Sequence, residues 1–210
     1  MHNRLVKIAI CTPHLGETKA KYSQSLGRLI SFTGSATLNG PDGPIRPEID
    51  VFMKRSAIVS HARRVVAQQA MAWEPDWLLW IDADQVFPRD ALIKLLMRGM
   101  GMIAAIVRLN NAEARESNAA RLVDGKPEPV FPSGDGIEEV LYVGLAFCLV
   151  HSSIMKALTP PLFREDVPEG AAGFMGEDAY FCRKVSAAGF PIYVDHALSV
   201  GHVTETVLTF

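Results

Sequence analysis

The stretch Trp77-Leu78-Leu79-Trp80-Ile81-Asp82-Ala83-Asp84 decides the expected fold of this chain. Its first five residues are apolar without alternation, which is typical of a strand covered on both faces of a sheet. The run then stops at two aspartates. Because ligands of open α/β sheets bind at the carboxyl ends of the strands, we expect a buried central strand that ends in a functional loop.

The two aspartates are spaced so that both side chains can serve one site. In an extended segment, residues i and i+2 point to the same side, so Asp82 and Asp84 can converge. Two neighbouring carboxylates repel each other and favour a hard divalent cation such as Mg²⁺ or Mn²⁺ between them. The structural alternative is that they end the strand before a helix opened by Pro88, with Asp90 interacting with the dipole of that helix.

Strands and helices alternate on both sides of this stretch, which predicts an α/β fold with a largely parallel sheet. We expect strands at 5–11, 49–53, 77–81, 102–107, 140–150 and 191–194. We expect helices at 18–32, 57–72, 88–97, 152–158 and 179–188, with Ser56 as the N-cap of the second helix and Gly189 ending the last.

Length and composition predict one soluble domain over residues 1–210. Of the 210 residues, 49% are hydrophobic and 21% are charged, which excludes disorder of the whole chain. The formal net charge of -2 argues against a large nucleic-acid-binding surface. The segment 109–136 is polar and predicts a long loop or flap that could act as a lid.

Cysteine usage and hydropathy indicate a cytoplasmic protein. Three widely spaced cysteines (Cys11, Cys148 and Cys182) form no CxxC pair, so we expect buried thiols in a reducing compartment. No stretch reaches the roughly 18 apolar residues of a membrane span. The basic and then apolar start is interpreted as a first strand and not as a signal peptide.

Further candidate residues occur at three places in the chain. Glu177 and Asp178 begin a helix, where either could be a general base or simply interact favourably with the helix dipole. His202 could complete a mixed oxygen and nitrogen site for Mn²⁺, with His196 as a reserve ligand. Arg63, followed by a second arginine, could bind a diphosphate or be an exposed surface residue.

Several large enzyme classes receive no support from the sequence. There is no GxxxxGK[ST] loop, no GxGxxG after a strand, no HExxH and no GxSxG. P-loop ATPases, Rossmann dehydrogenases with the usual fingerprint, zincins and typical α/β-hydrolases are therefore unsupported.

Six segments together resemble the GT-A family of nucleotide-sugar-dependent glycosyltransferases, and they are most similar to small bacterial or phage members related to family 2. In order, they are 8–13 as the first strand, 60–64 as the "ARN" helix start, 79–84 as the DxD strand, 142–150 as the acceptor-side strand, 177–190 as the "ED" helix, and 201–202 as the late histidine.

The resemblance implies a single GT-A (Rossmann-like) domain with a mostly parallel central sheet flanked by helices. It implies a metal-dependent enzyme that moves a sugar from a nucleoside-diphosphate sugar to a hydroxyl acceptor on a glycan, lipid or protein. The implied residues are Asp84, Asp82 and His202 for Mn²⁺ or Mg²⁺, Thr12, Pro13, Arg63, Asp82 and Ala83 for the donor, and Asp178 as catalytic base with Glu177 as the alternate.

The chain also departs from the family pattern. Arg64 stands where asparagine is commoner, and the acid that often binds a uracil could be Asp50 or Glu48. Sugar, nucleotide, acceptor, stereochemistry and homo-oligomer formation stay open. The alternatives are a catalytically silent nucleotide-sugar-binding module, a metal-dependent hydrolase, and a nucleotidyltransferase. A nucleotidyltransferase typically has a glycine-rich, basic loop after the first strand, and this loop has one glycine and no arginine.

Overall fold

The computed structural model describes residues 4–40, 43–107, 117–165 and 175–203. The strands of this part are β1 (Arg4–His14), β2 (Leu38–Gly40), β3 (Gly43–Arg55), β4 (Trp77–Ile81), β5 (Gln85–Val86), β6 (Met102–Val107), β7 (Ala119–Val123), β8 (Lys126–Pro129), β9 (Ile137–Glu139), β10 (Tyr142–Val143), β11 (Phe147–His151) and β12 (Tyr193–His202). Its helices are α1 (Ala20–Gly34), α2 (Val59–Ala72), α3 (Ala91–Met97), α4 (Ser152–Ala157) and α5 (Glu177–Ala187).

A mainly parallel sheet forms the centre of the molecule, in the order β2-β3-β1-β4-β11-β6-β12-β5. Strand β1 pairs in parallel with both β3 and β4, and β12 pairs in parallel with β6. Strand β11 lies antiparallel between β4 and β6. Since two antiparallel pairings restore the direction, β3, β1, β4, β6 and β12 all run the same way, which confirms the predicted α/β class.

Strand β4 is buried on both faces, as its sequence predicts. Leu78 and Trp80 pack in one hydrophobic cluster with apolar residues of α2, α4 and α5. Leu79 and Ile81 pack in a second cluster with apolar residues of α1 and α3. All four side chains are fully buried. The sheet is therefore flanked by helices, and the carboxyl end of β4 lies in the middle of one edge of the molecule.

The segment predicted as a long polar loop contains more structure than expected. Strands β7 and β8 form a hairpin whose turn has positive φ at Asp124 and Gly125, and β10 completes a small three-stranded sheet. Ala119 and Ala120 of β7 are buried. The Asn118 side chain before them accepts a hydrogen bond from one main-chain amide and donates one to a main-chain carbonyl. The polar composition of the segment therefore led to a wrong prediction of a loop at β7. Residues 109–116 lie outside the described residues.

The short strands β2, β5 and β9 were not predicted, and the other differences concern element ends. Helix α2 begins at Val59, and Ser56 accepts a hydrogen bond from Ile58 instead of capping the helix. Helix α3 begins at Ala91 rather than at Pro88. The last strand extends to His202, and the apolar run 140–150 divides into β10 and β11. Gly189 follows α5 with φ of 82°, as predicted for a helix-ending glycine.

Candidate functional site

A cleft of about 420 Å³ opens at the carboxyl ends of β1 and β4. Four of the residues singled out in the sequence line it: Pro13, Asp82, Ala83 and Asp84. The other lining residues are His14, Leu15, Glu17, Lys19, Ser56, Val59 and Ala62. The cleft therefore joins the end of the first strand, the aspartate loop and the beginning of α2, as expected for a ligand site of an α/β sheet.

The aspartate loop is fixed by main-chain hydrogen bonds to three separate parts of the chain. The Asp82 amide donates to the Ala146 carbonyl at 3.0 Å, and the Ala83 carbonyl accepts from the Lys19 amide at 3.2 Å. The Asp84 carbonyl accepts from the Val203 amide at 2.9 Å. Each residue of the loop thus has an anchored backbone, which holds the two carboxylates in place without using their oxygens.

Arg63 connects the aspartate loop to the beginning of α5. Its Nη2 donates to Asp82 Oδ1 at 2.9 Å, and its Nε donates to Glu177 Oε1 at 3.0 Å. The side chain is 3% exposed, with the guanidinium 5.6 Å from the centre of the Trp80 ring. Arg63 was expected to bind donor; the structure places it between two carboxylates, and it does not line the cleft.

Asp84 and His202 form a second, more exposed pair. Asp84 Oδ2 lies 2.8 Å from His202 Nε2, and the two side chains are 39% and 27% exposed. Gln85 donates from Nε2 to Asp84 Oδ1 at 2.8 Å. A carboxylate oxygen and an imidazole nitrogen side by side suit Mn²⁺, so the chemistry of these two donors fits the cation implied by the family resemblance.

The predicted ligand trio is not assembled as a group of three. Across residues 4–40, 43–107, 117–165 and 175–203, no group of three or more histidine, cysteine, aspartate or glutamate side chains could hold a metal ion. Asp82 differs from the expectation because Arg63 holds its carboxylate, whereas Asp84 and His202 do meet.

Asp178 occupies a narrow space beside Glu177. Its Oδ1 accepts a hydrogen bond from the Ala179 amide at 2.7 Å. A Cβ added at Gly176 would lie 3.1 Å from Oδ1, and one at Gly144 would lie 3.4 Å from Oδ2. Burial raises the pKa of the Asp178 carboxyl, and the neighbouring Glu177 charge adds to that rise. A carboxylate with a raised pKa is a stronger base, which suits proton abstraction.

The hydroxyl of Thr12 is already bonded within the protein. Thr12 is fully buried, and its Oγ1 lies 2.6 Å from the hydroxyl of Tyr22 on α1. This contact fixes the end of β1 against α1. Thr12 therefore supports the wall of the cleft, and the adjacent Pro13 faces it.

The reserve residues lie away from the cleft lining. His196 Nε2 is 2.9 Å from Glu138 Oε2, and its Nδ1 accepts from the Ser133 amide at 3.2 Å. Both ring nitrogens have protein partners, so His196 is a structural residue here. Glu48 and Asp50 are exposed and pair with Lys7 and Ala9 in the middle of β1, several residues before its carboxyl end.

Sequence reasoning missed three residues of the site. Lys19 lines the cleft, Trp80 packs against Arg63, and Tyr22 holds Thr12. Lys19 and Tyr22 belong to no spaced motif, and Trp80 is predicted only as a buried residue of its strand. The roles of all three depend on long-range packing. Gly144 lies within the segment 142–150 of the family resemblance, but no sequence pattern reveals that a side chain at this position would meet Asp178.

The remaining expectations concern the cysteines and the membrane. All three thiols are buried and free, as predicted, and burial raises their pKa values. In the part of the chain that the structure describes, no helix combines the length and the apolar character that crossing a membrane requires.

Comparison with known proteins gives matches at the level of structure. No protein-family model matches the sequence, and no curated protein matches it. The structure of A197 from STIV superposes with a TM-score of 0.59 at 17% identity, covering 95% of this chain and 86% of that one.

Two solved glycosyltransferase structures are also similar. GalNAc-T7 with UDP, GalNAc and Mn²⁺ has a TM-score of 0.57 at 12% identity, covering 97% of this chain and 45% of that one. The catalytic domain of Drosophila β1,4-galactosyltransferase 7 with xylobiose has a TM-score of 0.54 at 14% identity, covering 95% of this chain and 71% of that one. At these identities the likeness is one of fold, and the fold of this chain is the GT-A fold.

Proposed function

We propose that this protein is a metal-dependent glycosyltransferase that moves a sugar from a nucleoside-diphosphate sugar to a hydroxyl acceptor. The observation that carries the proposal is the Asp84–His202 pair beside the cleft at the carboxyl ends of β1 and β4. It combines the donor atoms that Mn²⁺ accepts with a position where open α/β sheets bind ligands. The GT-A fold and the UDP and Mn²⁺ named with GalNAc-T7 support the same interpretation.

Asp84 and His202 would hold Mn²⁺ or Mg²⁺ in this proposal. When bound, such a cation supplies positive charge beside the diphosphate that leaves as the glycosidic bond breaks. Asp82, fixed by Arg63, and the anchored Ala83 backbone would shape the donor side of the cleft. Pro13 would contact the donor directly, and Thr12 would act through its bond to Tyr22.

Asp178 would remove the proton from the acceptor hydroxyl. Glu177 is the poorer candidate because Arg63 Nε already donates to its carboxylate. Asp178 makes no such ion pair in the described part of the chain, and burial raises its pKa. In this role the Asp178 carboxylate takes the hydroxyl proton while the acceptor oxygen attacks the sugar carbon, and the nucleoside diphosphate leaves with the electron pair of the bond that breaks.

A thermal-shift screen of nucleoside-diphosphate sugars, each with and without Mn²⁺, tests the donor site. A ligand that binds the native state at a hundredfold excess over its Kd stabilises it by about 2.7 kcal/mol. We expect one UDP-, GDP- or dTDP-sugar to raise Tm only when Mn²⁺ is present, and Asp84→Asn to abolish that rise. A rise that is equal without metal, or equal in Asp84→Asn, contradicts the proposal.

A silent nucleotide-sugar-binding module is a second candidate, favoured by one observation. Arg63 already holds the Asp82 carboxylate, so the described residues leave two of the three predicted metal ligands together. Donor turnover separates the two functions. Release of the nucleoside diphosphate from the donor, in the presence of hydroxyl acceptors or water, supports an enzymatic function. Metal-dependent donor binding without any release supports the silent binding module.

A further inference from the structure

The position of Arg63 leaves the diphosphate of a donor without its expected arginine. Two of the three guanidinium nitrogens donate to Asp82 and Glu177, and the side chain is 3% exposed. A diphosphate entering the cleft would lie beside Asp82, which Arg63 already holds, and Asp84, which would hold the proposed cation. With Arg63 engaged, a direct hydrogen-bond donor to the phosphates has to come from another positive side chain on the cleft surface.

Lys19 meets this need by its position. Among the described residues that line the cleft, it is the one lysine or arginine. Its amide donates to the Ala83 carbonyl at 3.2 Å, which places its backbone against the centre of the aspartate loop. Glu17 also lines the cleft, but its exposed position lets water screen its charge.

The N-terminus of α1 adds a partial positive charge beside the Lys19 side chain. Lys19 is the N-cap residue of this helix of 15 residues. The partial positive end of the helix dipole therefore lies at the residue that carries the ammonium group. Both contributions favour an anion, and the ammonium supplies the full charge.

We propose that Lys19 binds the diphosphate of the nucleoside-diphosphate donor. This inference rests on the proposed function, and it assigns to Lys19 the part that the sequence suggested for Arg63. Arg63 instead forms ion pairs with Asp82 and Glu177 within the protein. The specific consequence is that Lys19 recognises the phosphates and contributes little to binding of the nucleoside.

The test compares nucleoside diphosphates with nucleosides by titration calorimetry at a fixed Mn²⁺ concentration. The ligands are UDP, GDP and dTDP together with uridine, guanosine and thymidine. The proteins are wild type, Lys19→Ala, Lys19→Met and, as matched control, Lys21→Ala, which removes an exposed lysine two residues along the same helix. Thermal melting of each variant checks that it folds.

We expect Lys19→Ala and Lys19→Met to weaken binding of the diphosphate by at least about tenfold, because a charge-assisted contact is lost. Binding of the nucleoside should change by less than about twofold, and Lys21→Ala should change neither. Lys19→Met preserves most of the aliphatic stem, so it separates loss of charge from loss of packing.

Two results overturn the inference alone: unchanged diphosphate affinity in both Lys19 variants, or equal losses for diphosphate and nucleoside. If no nucleoside diphosphate binds the wild-type protein, the proposed function is contradicted and this inference with it. The two failures are therefore distinguishable.

Discussion

The two aspartates of one short loop have different surroundings. Asp82 accepts a hydrogen bond from Arg63, whose 3% exposed guanidinium also binds Glu177. Asp84 is 39% exposed and contacts His202, which is 27% exposed. A buried guanidinium is a permanent positive charge, whereas an imidazole nitrogen can act as a metal ligand. The comparison teaches that partners and burial give identical residues different tasks.

Of the substitutions that test this comparison, removing Arg63 should lower the free energy of unfolding the most. Arg63→Ala leaves Glu177, which is 13% exposed, and Asp82, which is 32% exposed, without their positive partner. Breaking a buried pair costs about 3–5 kcal/mol, and we expect about 3 kcal/mol because water reaches Asp82. Urea unfolding measures the loss of free energy of unfolding.

Arg64→Ala is the matched control for this prediction. It removes the same kind of side chain from the next, exposed position of α2, where the effect should stay within about 0.5 kcal/mol. Equal losses of free energy of unfolding in the two variants would mean that the ion pairs of Arg63 with Asp82 and Glu177 do not stabilise the protein.

Replacing Asp178, which follows Glu177 in the chain, tests the proposed catalytic step and not the stability of the fold. Asp178→Asn should keep metal-dependent donor binding and lower the transfer rate by about 10²–10⁴, the usual contribution of a general base. Glu177→Gln should reduce transfer less, because Arg63 already holds that carboxylate. Loss of donor binding, or unfolding, in Asp178→Asn would indicate a structural role.

The pH profile of the transfer rate gives a separate test of Asp178 as the catalytic base. A base acts when deprotonated, so kcat/KM should rise with pH through its pKa and then level off. Burial and the Glu177 charge raise that pKa, so the rise should be centred above the ordinary aspartate value of about 3.9. The rise should disappear in Asp178→Asn. A rise at or below the ordinary value contradicts this assignment.

The smallest effect is expected in the Asp84–His202 pair. A double-mutant cycle with Asp84→Asn and His202→Gln should give a coupling free energy of under about 1 kcal/mol in urea unfolding, because both side chains are partly exposed. Asp82→Asn should be more destabilising than Asp84→Asn, since it removes a charged partner of buried Arg63. The reverse order would invalidate the distinction between the two aspartates.

The sequence predicted what depends on local pattern. The unbroken apolar run of β4 indicated burial on both faces, and the alternation of elements indicated the parallel sheet. Asp82 and Asp84, which line the cleft, were identified because strand ends carry ligand sites, and Ala83 was identified through the family resemblance. The meeting of Asp84 and His202, 118 residues apart, was reached through family resemblance.

The sequence did not predict what depends on pairing across the fold. Arg63 reaches Asp82 and Glu177 because α2 brings it beside both β4 and α5, and no spacing reveals that a motif arginine will be buried. The β7–β8 hairpin was missed because its strands are short and lie in a segment whose overall composition is polar.

Manganese binding tests the central claim most directly. Mn²⁺ can be titrated, with a saturating nucleoside diphosphate, into wild type, Asp84→Asn, His202→Gln and the control His196→Gln, and free Mn²⁺ followed by electron paramagnetic resonance. We predict that Asp84→Asn and His202→Gln weaken Mn²⁺ binding by at least about tenfold, and that His196→Gln, whose ring nitrogens both have protein partners, does not. Undiminished Mn²⁺ binding in both Asp84→Asn and His202→Gln would contradict the account.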